Sequence, residues 1–589
     1  MQDPSQPALV SPLCLLRSQG VINSFALHAS SEKTRQQNLA AACASVIAVI
    51  VCLFGNLGAI GLLGPDEPRY AWIARAMADS GDWVTPRLYG QPWFEKPVLY
   101  YWAAAIGFRV PLSSEWAARL PSAVAALAAA ITISWLAWNF FEPLRNFFRG
   151  PALFAPLLFS TTVAAIGFSR AATPDMLFSA FLAIAMAFAA AILLCRGALA
   201  ASNAYNPSVS SANSKNTSLL LIGWGASLGA AVLAKGPAAI LLAGGAILLW
   251  VIVSRDRRSA FRLAHPLAIA ACLLVALPWY VLCSLRNPDF LRVFIWQHNF
   301  ERYLTPLFMH RQPFWFFGPI FLLALLPWTV LLWPAALLGI NLWRKKSWQK
   351  SPGCFFVCWT LFPILFFSLS QSKLPSYVLP SIAPACLLLA AAFFRFARSE
   401  AGTLPVFRLS VASVGLTWIF LAIAALFWLH RVPASERTDL HASLLPLALL
   451  AFAGGVAVFA LAFFRPRASV YTSVFFSVLC IAIAGHNFLP ALDPYVSARP
   501  HALLFTNSHF PNRIFTYQLP RSWDYGLAFY FDRKLPEWSP ADPEAAILLT
   551  TPKGLEEVKQ QRRFSGPLEE TYRGVLLVPV LPAARDETR

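Results

Sequence analysis

Long apolar runs recur along this chain at a length set by a lipid bilayer rather than by a soluble core. A membrane-spanning helix needs about 20 largely apolar residues. Runs of that kind lie near 40–62, 117–140, 152–169, 177–195, 218–234, 237–254 and 264–283. Others follow near 314–342, 352–370, 377–394, 407–429, 444–464 and 469–489. The pattern predicts about thirteen spans. The stretch VLYYWAAAIGFRV (98–110) is too short to cross, and its Tyr100, Tyr101 and Trp102 predict an aromatic belt on a helix lying at the interface. The run from Leu39 is too long for a cleaved signal core, so 1–38 is expected to be a cytoplasmic tail before a retained first span. ASNAYNPSVSSANSKNTS (201–218) reads as a flexible cytoplasmic loop. Beyond 490 the character changes. RIFTYQL, GLAFYFDRKL, AAILLTT and GVLLVPVL alternate or run apolar over strand lengths, between polar, Pro-rich stretches.

Charge decides the orientation. With the N-terminus inside, Arg145, Arg149, Arg196, Lys215, the RDRR run (255–258), the RKK run (344–346), Arg395, Arg398, Arg465 and Arg467 all fall in cytoplasmic loops. Counting 98–110 as a span would put these clusters outside. An odd number of spans leaves the C-terminal segment outside. The expected architecture is an all-α polytopic membrane domain (39–490), with an extracytoplasmic loop at 64–116, followed by a small extracytoplasmic α/β domain (491–589).

Composition agrees. The chain is 57% hydrophobic and 13% charged, against about 25% charged in soluble globular proteins. A net charge of +19 would suggest nucleic acid in a soluble protein. Here Lys and Arg cap apolar runs, which points to topology and anionic lipid instead. The ten cysteines form no framework. Cys52, Cys195, Cys272, Cys283, Cys386 and Cys480 lie in or beside apolar runs as small hydrophobes, and Cys354 and Cys358 have no second pair to complete a zinc site.

The outside loops break the charge bias, and they carry the chemistry. The first, 64–102, packs Asp66, Glu67, Arg69, Tyr70, Asp82, Glu95 and Lys96 between a span and the short helix. Others bring Arg170 and Asp175, Lys235, then His298, Arg302, Tyr303, His310 and Arg311, and finally Lys373 and Tyr377. All lie on one side of the membrane, so they can converge on one cavity. Cations beside carboxylates suit a phosphate-bearing substrate and a reaction needing a fixed negative group. Aromatic side chains suit sugar stacking or a headgroup belt.

These residues resemble the GT-C glycosyltransferases of the aminoarabinose transferase and protein O-mannosyltransferase superfamily. The resemblance rests on DEPRYA (66–71), GDWVTPRLYGQPWFEKP (81–97), ARLPSA (118–123), SRAATPD (169–175), AKGP (234–237), PWY (278–280), HNFERY (298–303), HRQPFWFF (310–317) and SKLPSYVLP (372–380), in the family's order over 40–400. It implies inverting transfer of a sugar from a polyprenyl-phosphate donor to an extracytoplasmic acceptor, with lipid A leading and protein as the alternative. The enzyme would sit in the plasma (inner) membrane. Asp66 matches the family's essential loop aspartate, as base or as a fixed charge, with Glu67 and Asp175 as further carboxylates. Lys96 and Arg302 would hold the donor phosphate, with Arg69, Lys235 and Lys373 as weaker choices. Tyr70, Glu95, His298, Tyr303 and Tyr377 would position substrates. Val98 stands where a second proline is common in the family.

Each residue has a plainer reading. Asp66 and Glu67 also suit the first turn of a helix after Pro65, and Asp175 one after Pro174. Lys235 and Lys373 also suit snorkelling helix ends. The carboxylates with His298 also raise a divalent cation, although the many cations beside them argue against one, and no cofactor is expected. A rival of another class is a lipid-linked saccharide transporter or flippase lined by the same cations. Such proteins often show paired halves with helices broken at membrane depth, and the sequence shows no such halves.

Overall fold

A computed structural model describes residues 32–580, apart from 142–149, 195–207, 302–303, 305–311, 345–347, 350, 399–403, 433, 508–513, 540–541, 543–545, 561–568 and 573–574. Arg145, Arg149, Arg196, Arg302, Tyr303, His310, Arg311 and most of the N-terminal tail therefore lie outside the described residues.

The chain is a multi-pass membrane protein. Among the described residues eight helices are long and apolar enough to cross a bilayer, and two bent helix pairs bring the number to as many as ten. Ala-rich faces let the innermost helices approach closely. Helix Ser114–Phe141 buries Ala118, Ala126 and Ala130, and Asp175–Leu194 buries Ala183, Ala185 and Ala189. Farther out, Gly415 faces Gly455, where a Cβ on Gly415 would lie 2.6 Å from the Gly455 carbonyl oxygen. Large apolar side chains such as Leu416, Phe420, Val456 and Phe475 stand exposed on these helices, as a lipid-facing surface requires.

Two runs expected as continuous spans are broken. Residues 151–169 form Pro151–Ser160 and Val163–Ser169, bent by 65°, and 314–343 bend by 106° between Ala324 and Trp328. Pro327 has no N–H to continue a helix, and Thr162 caps a new one by accepting from the Ala165 N–H. The breaks face each other. Val163 N–H donates to the Leu326 carbonyl at 3.0 Å, and Trp328 Nε1 donates to Thr161 Oγ1 at 2.9 Å. Each break thus supplies groups the other needs, as buried backbone demands.

Two local expectations are corrected. Helix Ser208–Lys235 begins inside the stretch read as a flexible loop, because past Pro207 no glycine or proline stops the helix from extending toward solvent. Helix Leu99–Phe108 is short, as expected, but Tyr100 and Tyr101 are each 1% exposed rather than forming an aromatic belt. The Tyr100 hydroxyl donates to the Ala118 carbonyl at 2.8 Å, and both rings pack edge-on against Tyr70.

After Val496 come helices Arg499–Asn507, Arg521–Phe531 and Pro552–Gln560 and a four-stranded mixed sheet. Ile514–Tyr517 pairs parallel with Ala546–Thr550. That strand pairs antiparallel with Val575–Val580, and Glu569–Tyr572 forms the far edge. Gly61 seats this region against the membrane part, since a Cβ there would meet Ser497 Oγ at 2.4 Å.

Candidate active site

Helix Asp66–Ser80 opens after Pro65 without a side-chain cap and closes on Gly81 at φ 70°, a left-handed conformation that suits glycine. Its first-turn acids part ways. Glu67 turns inward, accepts the Leu63 and Ala172 amides at 2.7 and 2.6 Å, and pairs with Arg119 at 2.7 Å. Arg119 is 1% exposed and also donates to the carbonyls of Leu57, Ile60 and Gly61. Glu67, expected as a catalytic carboxylate, is therefore the anchor of the loop to three other segments and does not reach the cavity.

Asp66 turns outward. Its Oδ1 accepts from Arg69 Nη2 at 2.5 Å, and its side chain keeps 53% of its surface accessible. Burial of the surroundings raises its pKa above the ordinary carboxylate value. Arg69 and Lys96 pull it down and Glu95 and Asp175 push it up, and the balance remains a rise. Arg69 also pairs with Glu95 at 2.8 Å, and Lys96 meets Glu95 at 3.2 Å. Glu95 and Lys96 arrive from beyond a hairpin, Arg87–Leu88 with Gln91–Pro92. Its turn residues Tyr89 and Gly90 sit at φ 52° and 82°, the type I′ signature.

Asp66, Tyr70, Glu95, Lys96, Asp175, Lys235, His298 and Tyr377 line one cavity of about 640 Å³. Asp175 starts helix Asp175–Leu194 and forms an ion pair with Lys235, which ends helix Ser208–Lys235 where a cation is favoured. The Lys235 ammonium also lies 4.9 Å from the Tyr377 ring centre. The Tyr70 hydroxyl stands 3.5 Å from Glu95. Most of the rest of the wall is apolar, including Phe178, Ile240, Leu241, Phe294, Phe366 and Phe367, with Ser370, Ser372 and Ser376 beside them. The wall thus combines charged and apolar side chains. Glu95 and His298 also line a second cavity of about 550 Å³ with Trp93, Phe94, Arg286 and Asn287.

Two expected phosphate ligands are not on the cavity wall. Arg69 stands behind Asp66 and Glu95, and Lys373, 7% exposed, donates its ammonium to the Ser370 carbonyl. Among the described residues no three His, Cys, Asp or Glu side chains group as a metal site. The sequence reading missed Arg119, a charge five residues into an apolar helix and visible as such in ARLPSA. It also missed Ser376, which hydrogen-bonds Asp175 and lines the cavity.

A bundle of spanning helices around a cavity with charged and apolar walls defines a polytopic membrane protein. The sequence profile of the dolichyl-phosphate-mannose-protein mannosyltransferase family matches residues 39–294. The undecaprenyl phosphate-alpha-4-amino-4-deoxy-L-arabinose arabinosyl transferase of Edwardsiella ictaluri is 33% identical over 383 residues, 64% of either chain. That match spans just under two thirds of the relative's length. The same-named protein of Aeromonas salmonicida is 31% identical over 401 residues, 67% of each. The chain belongs to this aminoarabinose transferase family. In fold, ArnT from Cupriavidus metallidurans, solved bound to undecaprenyl phosphate, superposes with a TM-score of 0.70 at 22% identity, covering 92% of this chain and 98% of that one.

Proposed function

We propose that the chain is an inverting glycosyltransferase that moves a sugar from a polyprenyl-phosphate donor of the undecaprenyl type to an extracytoplasmic acceptor, lipid A foremost. The observation that carries this reading is the main cavity, where three carboxylates and two ammoniums meet a wall of phenylalanines and aliphatic side chains. A polyprenyl phosphate sugar has the same division: polar sugar, anionic phosphate, apolar tail. The names of the relatives support it, since they describe transfer from an undecaprenyl phosphate carrier.

Lys96 and Lys235 then take the donor phosphate, which is also the leaving group. Each is matched by a carboxylate, Glu95 and Asp175, so the phosphate competes for cations held in place. Charge grows on the phosphate as the glycosidic C–O bond breaks, and fixed ammoniums stabilise it there. Asp66 acts from the other side of the anomeric carbon. It removes a proton from a hydroxyl acceptor, or orients an acceptor phosphate that is already ionised. The second cavity, which shares Glu95 and His298 with the first, supplies an acceptor entrance. A transferase needs two substrate entrances on one site; a flippase needs a passage to the other leaflet.

The topology follows the same reading. The eight long helices, the two bent pairs and the apolar helices at 39–54, 238–254 and 352–368 support about thirteen spans. The N-terminus is then cytoplasmic, the protein sits in the inner membrane, and the loop at 64–116 and the domain at 491–589 lie outside.

The test is transfer of labelled sugar from a lipid-linked donor by purified protein in detergent micelles, which have no two sides to transport between. Wild-type protein is expected to transfer label and Asp66→Asn to lose about 10²–10⁴-fold in turnover. Lys96→Ala is expected mainly to weaken donor binding. No transfer by the wild type would return the flippase reading, and full turnover in Asp66→Asn would remove Asp66 from the mechanism.

A further inference from the structure

Arg69 is the hinge between two carboxylates of the cavity wall, because one guanidinium holds both Asp66 and Glu95. Its hydrogen bonding is incomplete. Arg69 Nε is buried and has no hydrogen-bond partner among the described residues. What surrounds it instead is aromatic: the rings of Tyr70, Trp93 and Tyr525 have their centres 5.2, 5.4 and 5.6 Å from the guanidinium carbon. All three fall within the distance at which an aromatic face attracts a cation. Tyr70 and Trp93 belong to the catalytic loop. Tyr525 does not; it comes from helix Arg521–Phe531, more than four hundred residues away in sequence.

That helix is clamped onto the loop by independent contacts. Arg75 pairs with Asp532 at 2.7 Å and donates to the Phe529 carbonyl at 3.1 Å. The Tyr530 hydroxyl accepts from the Leu62 amide and donates to Glu115. The Tyr525 ring stacks on Tyr89, with an interplanar angle of 19°. Tyr89 is a non-glycine residue at positive φ in the hairpin turn that delivers Glu95 and Lys96. Such a backbone state persists where neighbours over-determine it. Tyr525 thus touches both the hinge arginine and the turn.

We infer that Tyr525 is a positioning residue of the active site: its ring holds Arg69, and through Arg69 the Asp66 and Glu95 carboxylates, in working geometry. The C-terminal region then completes the catalytic loop rather than only decorating it. This rests on the transferase reading above, with Asp66 as the reacting carboxylate.

The experiment measures turnover and donor KM of the full chain in micelles across pH. Tyr525→Ala is expected to lower kcat about 10- to 100-fold, since small displacements of catalytic groups cost that much, with little change in donor KM. Its acid limb is expected to move to higher pH. Asp66 faces Arg69, Glu95, Lys96 and Asp175, and Arg69 is the strongest of these in lowering its pKa. Tyr525→Phe keeps the ring face and is expected to recover turnover to within about threefold of wild type. Wild-type kcat in Tyr525→Ala, an equal loss in Tyr525→Phe, or a loss with an unmoved acid limb overturns the inference. If Tyr525→Ala does not fold, Tyr525→Leu keeps apolar bulk without an aromatic face, and wild-type kcat there overturns it equally. Asp66→Asn runs in parallel: full turnover in that variant sinks the transferase mechanism itself, whereas a dead Asp66→Asn beside a normal Tyr525→Ala sinks only the positioning role.

Discussion

Asp66 and Glu67 are adjacent carboxylates with opposite duties, and the difference has measurable consequences. The raised pKa of Asp66 means the fold disfavours its charge. Sign follows directly: whatever Asp66 contributes to stability is present below its unfolded pKa and is lost as pH rises through the higher folded value. At neutral pH, Asp66→Asn is therefore expected to leave the melting temperature unchanged or higher while abolishing transfer, and a clear drop in thermal unfolding would contradict this. Activity runs the other way. On the proposed mechanism it needs the carboxylate, so it is expected to fall as pH drops through a value above that of an ordinary aspartate. Glu67→Ala is expected to do the reverse of Asp66→Asn in a melting assay. It strands Arg119 as an unpaired buried charge, which costs about 3–5 kcal/mol. Glu67→Ala with wild-type stability would mean Arg119 does not need its partner.

Among the elements, the loop helix Asp66–Ser80 and the helix Arg521–Phe531 depend on a close seat between Gly61 and the 497–499 turn. Arg499 ties that seat together, donating to the Gly58 and Ala59 carbonyls at 2.9 and 3.1 Å and pairing with Asp493 at 2.6 Å and Glu115 at 3.3 Å. A methyl group at Gly61 would lie 2.8 Å from Arg499 Cβ. Gly61→Ala is therefore expected to destabilise the chain by about 1–3 kcal/mol, as overpacking does, and to loosen the C-terminal region first. Limited proteolysis and thermal unfolding check both parts, and an unchanged digestion pattern would show that the seat has room.

For the whole molecule, the decisive expectation is sidedness. The proposed topology puts the site, the loop at 64–116 and the C-terminal sheet outside, so an enzyme reporter active only outside the cytoplasm, fused after Arg589, is expected to be active, and one fused within 255–258 inactive. The opposite pattern would invert the topology and the proposed acceptor side with it.

What the sequence determined by itself is what repeats along it or breaks a repeat locally. Apolar run length marked a multi-pass chain, because the bilayer fixes how many residues a span needs. Charges that violated the loop bias marked Asp66, Lys96, Asp175 and Lys235, and the fold places these four on one cavity wall. Tertiary structure alone decided which way each side chain turns. Glu67 and Asp66 differ by one position, about 100° around a helix, and the Arg119 guanidinium with the Leu63 and Ala172 amides on one side selects the inward residue. The facing breaks at Thr162 and Pro327 read as unbroken spans, because each is stabilised by the other across 165 residues of chain. Tyr525 gives no local sign at all. The role inferred for it arises from a contact with Arg69 made across more than four hundred residues, and no periodicity or motif records which distant surface a side chain will meet.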